Sequence, residues 1–153
     1  MIRLLKKSEY PIWIEIAEEV EVLFGPMVQI KEFQEGIKES IKNNDAYCST
    51  NDVGVITGIV SLDRTNNEIS WLAVRKQYRG NNIGKDLVRK AIDELKRSGN
   101  IYVTTFASGV DVGKSARHIY ENNGFIDRKP AGKNPAGIET VLMVKNFVHE
   151  RFF

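Results

Sequence analysis

The stretch "LAVRKQYRGNNIGKDLV", Leu72–Val88, passes from an apolar β-like run through a glycine- and asparagine-rich turn into an amphipathic helix. A helix start exposes unpaired backbone N–H groups at the positive end of the helix dipole, which suits an anion such as a phosphate. Gly80 and Gly84 permit close backbone approach or positive φ, and Asn81 and Asn82 tolerate the left-handed region. Arg79 can grip a phosphate with two parallel hydrogen bonds, and Lys85 adds a point charge. The same features also describe an ordinary structural turn. Two phosphate-loop patterns fail on spacing. The dinucleotide fingerprint G-x-G-x-x-G is missing, and Gly80–Lys85 is one residue short of a Walker A loop. "GVDVGKS", Gly109–Ser115, is short by one as well.

Outward from this turn, element types alternate. Strands are expected at Ile2–Leu5, Tyr47–Ser49, Val53–Leu62, Glu68–Val74, Ile101–Phe106, Phe125–Arg128 and Glu139–Val144. Helices are expected at Pro11–Val22, Lys31–Ile41, Ile83–Arg97 and Ser115–Asn122. The third is the clearest, because Ile83, Leu87, Val88, Ala91, Ile92 and Leu95 form one stripe; Gly99 is its expected cap. "KPAGKNPAG", 129–137, reads as a Pro/Gly-rich loop. The order β-α-α-β-β-β-α-β-α-β-β implies an α/β (α+β) fold, a mixed sheet with helices on both faces, in a single domain over 1–153.

Composition narrows the function classes. With 22 basic and 20 acidic residues among 153, bulk charge gives no argument for nucleic acid. No apolar run approaches the ~18 residues of a membrane span, and the N-terminus lacks the apolar centre of a signal peptide. The lone Cys48 reads as a small buried hydrophobe, and a reducing cytoplasm is the expected setting. His118 and His149 lack metal-ligand spacing, so no metal is expected.

Two motifs now converge. Leu72–Val88 resembles motif A of the GNAT superfamily of N-acetyltransferases, [QR]-x-x-G-x-[GA], with Arg79 and Gly84 at its ends and Asn82 where the middle glycine is expected. "ARHIYENNGF", Ala116–Phe125, resembles the family's second signature, matching at Ala116, Tyr120, Gly124 and Phe125; its leading Asn position is Gly113. The resemblance implies a mostly antiparallel sheet splayed at a bulge, and acetyl transfer from acetyl-CoA, as cosubstrate, to an amine of a small molecule or peptide. It implies that Arg79, Gly80, Asn81, Asn82, Ile83, Gly84 and Lys85 hold the pyrophosphate, and that backbone groups of Leu72, Ala73 and Val74 meet the pantetheine arm. It also implies Val74 N–H as the oxyanion donor, Tyr120 as the general acid, and Glu68 as a base that some branches of the family use.

Strand alternation puts Glu68, Ser70 and Leu72 on one side. The acceptor is expected between "LFGPMVQ", 23–29, and "KPAGKNPAG". Glu15, Glu18, Glu19 and Glu21 of the first helix either attract a cationic amine or form a solvated face. Lys114 and Arg117 either reach the CoA phosphates or stay in solvent. The tail "FVHERFF" packs on its own domain or on a second subunit of a homodimer. The competing class is a CoA-binding or sensor module on the same fold, without robust catalysis.

Overall fold

The computed structural model describes residues 1–147; the tail from 148, with His149 and the homodimer expectation that rests on it, lies outside the described residues. Seven strands and four helices follow the expected order: β1 Ile2–Leu4, α1 Tyr10–Phe24, α2 Lys31–Lys42, β2 Ala46–Thr50, β3 Ile56–Asp63, β4 Glu68–Val74, α3 Ile83–Glu94, β5 Ile101–Phe106, α4 Lys114–Asn122, β6 Ile126–Lys133 and β7 Glu139–Lys145. The strands form one sheet in the order β1-β2-β3-β4-β5-β7-β6. All neighbours are antiparallel except β4 and β5, which run parallel and pair only at Glu68↔Tyr102 and Ile69↔Val103. Beyond Ile69 the two strands part, so the sheet is split along half of β4.

Each face buries its own apolar cluster. Leu87, Val88, Ala91 and Ile92 of α3 pack with Tyr120 and Phe125 on one face. Trp13, Ile16, Ala17 and Val20 of α1 pack with Ile37 and Ile41 of α2 on the other. Helical spacing generates both stripes, and their burial, rather than intrinsic propensity, stabilises the helices.

Three boundaries and one stretch of strand pairing depart most from the expectation. Val53–Val55 turn instead of extending, because Asn51 Oδ1 accepts the N–H groups of both Val53 (3.1 Å) and Val55 (2.9 Å). Helix α3 stops at Glu94, well before Gly99. There Asn67, far away in sequence, takes over the backbone: its Oδ1 accepts Lys96 N–H (2.8 Å), and its Nδ2 donates to Lys96 O (2.8 Å) and Asn100 O (2.9 Å). Strand β6 continues through "KPAGK", which was expected to be loop. It is the outer strand and carries two register shifts, which is where a sheet tolerates proline.

The fourth departure lies in β4 and bears on the site. Pairing jumps from Ser61↔Trp71 to Leu62↔Ile69, leaving Ser70 as an extra residue. A bulge of this kind reverses the faces. Ile69 packs on the α3 side; past the bulge Leu72 and Val74 do so too, while Trp71 and Ala73 face α1 and α2. Alternation then turns Glu68 toward the α1/α2 side, so Glu68 and Leu72 do not share a face as the uninterrupted period implied.

Candidate active site

The split in the sheet opens into a cleft of about 630 Å³ bounded by β4, the turn before α3, Phe106 at the end of β5, α4 and the last turn of α1. Backbone pairing explains what β4 offers to it. Arg75 N–H donates to Thr57 O (2.8 Å), which makes this a hydrogen-bonded pair. Such pairs alternate along an antiparallel ladder, so Ala73 bonds β3 while Leu72 and Val74 turn their amides toward the gap. These groups have no strand to pair with, because β5 has already diverged.

The far end of the cleft is the start of α3. The first bond into the helix runs from Asp86 N–H to Asn82 O (3.0 Å), which leaves the N–H groups of Ile83, Gly84 and Lys85 without helical acceptors. No side chain among the described residues caps them. Gly80 and Asn82 both hold positive φ, +88° and +61°, and this curls the turn ahead of those amides. Asn82 thus occupies the left-handed conformation that makes glycine the usual choice, and asparagine is among the few substitutes that tolerate it. Gly84 sits at a close approach: a Cβ there would lie 3.0 Å from the tip of Ile119, Cδ1, where α3 meets α4. Arg79 Nε donates to Val74 O (3.2 Å), which ties the turn to β4 and leaves its two terminal nitrogens for other acceptors.

Leu72, Ala73, Val74, Arg79, Gly80, Asn82, Ile83, Gly84 and Lys85 all line the cleft. Asn81 does not; its Nδ2 donates to Tyr78 O (3.0 Å) and closes the turn from outside. Tyr120 and Glu68 are not among the lining residues either. Tyr120 is 4% exposed, packs edge-on against Phe125, and has its phenol pKa raised by burial, so it stays protonated. Glu68 lies at the closed end of the split. Burial first, and the charge of Asp63 second, raise its carboxyl above the usual range.

Other expected contributors are engaged elsewhere. Arg117 is 7% exposed and donates to Phe106 O (3.1 Å) and Asp127 (2.9 Å), so it belongs neither to a phosphate site nor to solvent. Lys114 pairs with Asp111 (3.2 Å). Glu15 and Glu19 clamp Arg75 at 2.9 and 3.1 Å. Glu21 accepts Met27 and Val28 N–H, and these bonds lower its pKa. Of that acidic set, Glu18 alone has no recorded partner among the described residues. Burial raises the Cys48 thiol to about 11, as suits a core residue.

Phe24, within the segment expected at the acceptor, and Phe106, at the end of β5, line the cleft; Ser115 and His118 do so too, and no sequence pattern marked them there. Phe24 stacks on Phe106 at 5.9 Å and meets Trp71 edge-on at 6.4 Å. The Gly113 departure has a cause here: a Cβ would fall 2.2 Å from Phe106 Cβ. The two segments expected at the acceptor meet each other, with Asn134 Nδ2 donating to Leu23 O (2.8 Å) and Pro135 against Gly25. Among the described residues no group of three or more His, Cys, Asp and Glu side chains gathers as metal ligands. No described helix is long and apolar enough to cross a membrane.

Comparison with known proteins matches this architecture. The ribosomal-protein-alanine N-acetyltransferase of Brucella melitensis superposes with a TM-score of 0.75 at 15% identity, over 95% of this chain and 99% of that one. PaiA N-acetyltransferase from Thermoplasma acidophilum, solved with coenzyme A, gives 0.70 at 19%, over 95% and 98%. YncA from Salmonella typhimurium, a putative acetyltransferase solved with acetyl-CoA, gives 0.70 at 15%, over 96% and 93%. A search of curated proteins returned no match. Identities this low speak for the fold alone. The sequence itself matches the family model "Acetyltransferase (GNAT) domain" over residues 15–147, and the chain belongs to that family of acetyltransferases.

Proposed function

We propose that this protein transfers the acetyl group of acetyl-CoA to an amine by direct attack. One observation carries the reading: a single cleft joins unpaired β4 amides at one end to unpaired α3 amides at the other. The α3 amides, with Arg79 and Lys85, suit a pyrophosphate; Leu72 and Val74 suit an amide-bearing arm laid along β4 like a missing strand. Val74 N–H is the donor for the oxyanion that forms when the amine nitrogen attacks the thioester carbonyl. As the C–S bond breaks, the thiolate takes a proton, and Tyr120 supplies it.

Glu68 faces the side opposite Leu72. From there it accepts the ammonium proton through water, from the α1/α2 face where Trp71 and Phe24 stand. Its raised pKa has a defined sign for stability. The contribution is complete below the unfolded-state pKa and is lost as pH rises through the folded one. Glu68→Gln therefore removes a neutral-pH penalty while flattening the acidic limb of kcat/KM.

A second reading, a CoA-binding module without catalysis, is favoured by one feature: Tyr120 is packed away from the cleft lining. CoA thiol release across a panel of amines separates the two, with the Tyr120→Phe variant run in parallel. Catalysis with Tyr120 as acid requires release by the parent protein and a drop of about 10²-fold in the variant, with acetyl-CoA affinity kept. Binding without release by any amine establishes the second reading. Equal turnover by both proteins removes Tyr120 as the acid.

A further inference from the structure

On the α1/α2 face, away from the transfer cleft, a groove of about 480 Å³ runs between α2 and the β3–β4 hairpin. Three observations there point the same way. First, the buried side-chain atoms that lack a hydrogen-bond partner among the described residues are Trp13 Nε1, Trp71 Nε1 and Ser40 Oγ, and all three residues line this groove. Trp13 is 2% exposed. Indole N–H is a donor only, so two of these atoms ask for an acceptor. Both donors are already shut off from water, so an acceptor oxygen that reaches them gains a bond with no hydration to strip from the indoles.

Second, Gly36 sits in the middle of α2 and lines the groove, although glycine weakens a helix interior relative to alanine. Neither usual reason for glycine applies. Its φ is not positive, and a Cβ there would find nothing within 4 Å. Any side chain at this position would project into the open groove.

Third, the rim is acidic. Glu32, Glu39, Asp45 and Asp63 line it together with one guanidinium, Arg64, which is held by Asp45 at 2.7 Å and Glu94 at 3.7 Å. Asp63 is occupied with the Asn66 amides of the hairpin turn. Glu32 forms no ion pair among the described residues, and Glu39 accepts only Asn43 Nδ2 (3.2 Å). Two carboxylates about two helical turns apart on α2 thus overlook an aromatic floor with unmet donors.

We propose that this groove binds an organic ammonium compound carrying hydroxyl or carbonyl oxygens. Its cation meets Glu32 and Glu39, its oxygens meet the indole N–H groups and Ser40, and its carbon skeleton lies on Phe33 and the two indoles. The proposal does not depend on acetyl transfer.

The chain has two tryptophans, Trp13 and Trp71, and both line the groove, so intrinsic emission reports on this site. The test is a fluorescence titration without acetyl-CoA, using L-lysinamide and 2-deoxystreptamine as probes and hexylamine as a control that lacks oxygen. A saturable change is expected for at least one of the two probes, with hexylamine binding more weakly. Gly36→Leu, which fills open space on a helix, should weaken binding by about tenfold or more while leaving the melting temperature unchanged or raised. Glu32→Gln combined with Glu39→Gln should weaken it by a similar factor. The proposal is overturned if neither probe gives a saturable change up to tens of millimolar, if hexylamine binds as well as the probes, or if well-folded Gly36→Leu protein binds like the parent.

Discussion

Two strand-to-helix connections in this chain look alike on paper: Arg75–Asn82, between β4 and α3, and Ala107–Gly113, between β5 and α4. Each follows a strand with β-branched residues, contains at least one glycine and enters a helix with a lysine nearby. Their surroundings make them different objects. The first leaves the splayed end of β4, so its helix points unpaired amides and a tethered Arg79 into a cleft. The second leaves the end of β5, which is paired with β7 throughout, and its glycine is pressed onto Phe106. Its neighbouring cation, Arg117, is spent on Phe106 O and Asp127. Val112 of the second connection and Ser115 just beyond it border the same cleft, but Gly113 serves close packing, whereas the first connection curls to present amides.

Substitutions can separate the roles of the two connections. Gly113→Ala should have the largest effect, about 2–3 kcal/mol of stability from overpacking against Phe106. At this chain length that lowers the melting temperature by about 5–10 °C, read by calorimetry. Acetyl-CoA affinity of the folded fraction should stay near the parent value; a selective loss of affinity would make the second connection a ligand loop after all. Arg79→Ala should act oppositely. Acetyl-CoA binding should weaken by about tenfold, the size of one charged hydrogen bond, with little change in the ligand-free melting temperature. The deficit should shrink at high salt, since an exposed charge is screened there. A salt-independent loss together with lowered stability would assign Arg79 to holding the turn.

Asn82→Gly should be smallest: a gain under about 1 kcal/mol from relieving a left-handed asparagine, with affinity unchanged. Tighter binding in isothermal titration would instead mean that the asparagine side chain crowds the ligand.

How much of this was readable beforehand follows from the range of each cause. The element order was readable because burial stripes on α1 and α3 are local patterns. The nine cleft-lining residues named from motif A were readable because a helix start and its turn are local too. The Ser70 bulge was not, since no residue type announces where a ladder gains an extra member, and it moved Glu68 to the other face. Nor was the early end of α3, set by Asn67 on a different hairpin. The α1 glutamates suggested a field for an amine, yet Glu15 and Glu19 are claimed by Arg75, which is distant in sequence. Ser115 and His118 joined the cleft through the way α4 packs beside the split sheet, which no spacing encodes.

The short seam between β4 and β5 has a mechanical consequence. Four strands stand on one side of it and three on the other, and across it the sheet is continuous for two residue pairs. Elsewhere a shearing motion would have to break a full ladder. Here a few amides and the helices spanning the joint resist it. Beneath the seam one apolar cluster joins residues of both parts, Val60 and Leu62 with Val103 and Met143, so packing carries the load that backbone pairing does not. A molecule laid along the open edge of β4 would supply backbone partners that β5 does not, and so lengthen the seam.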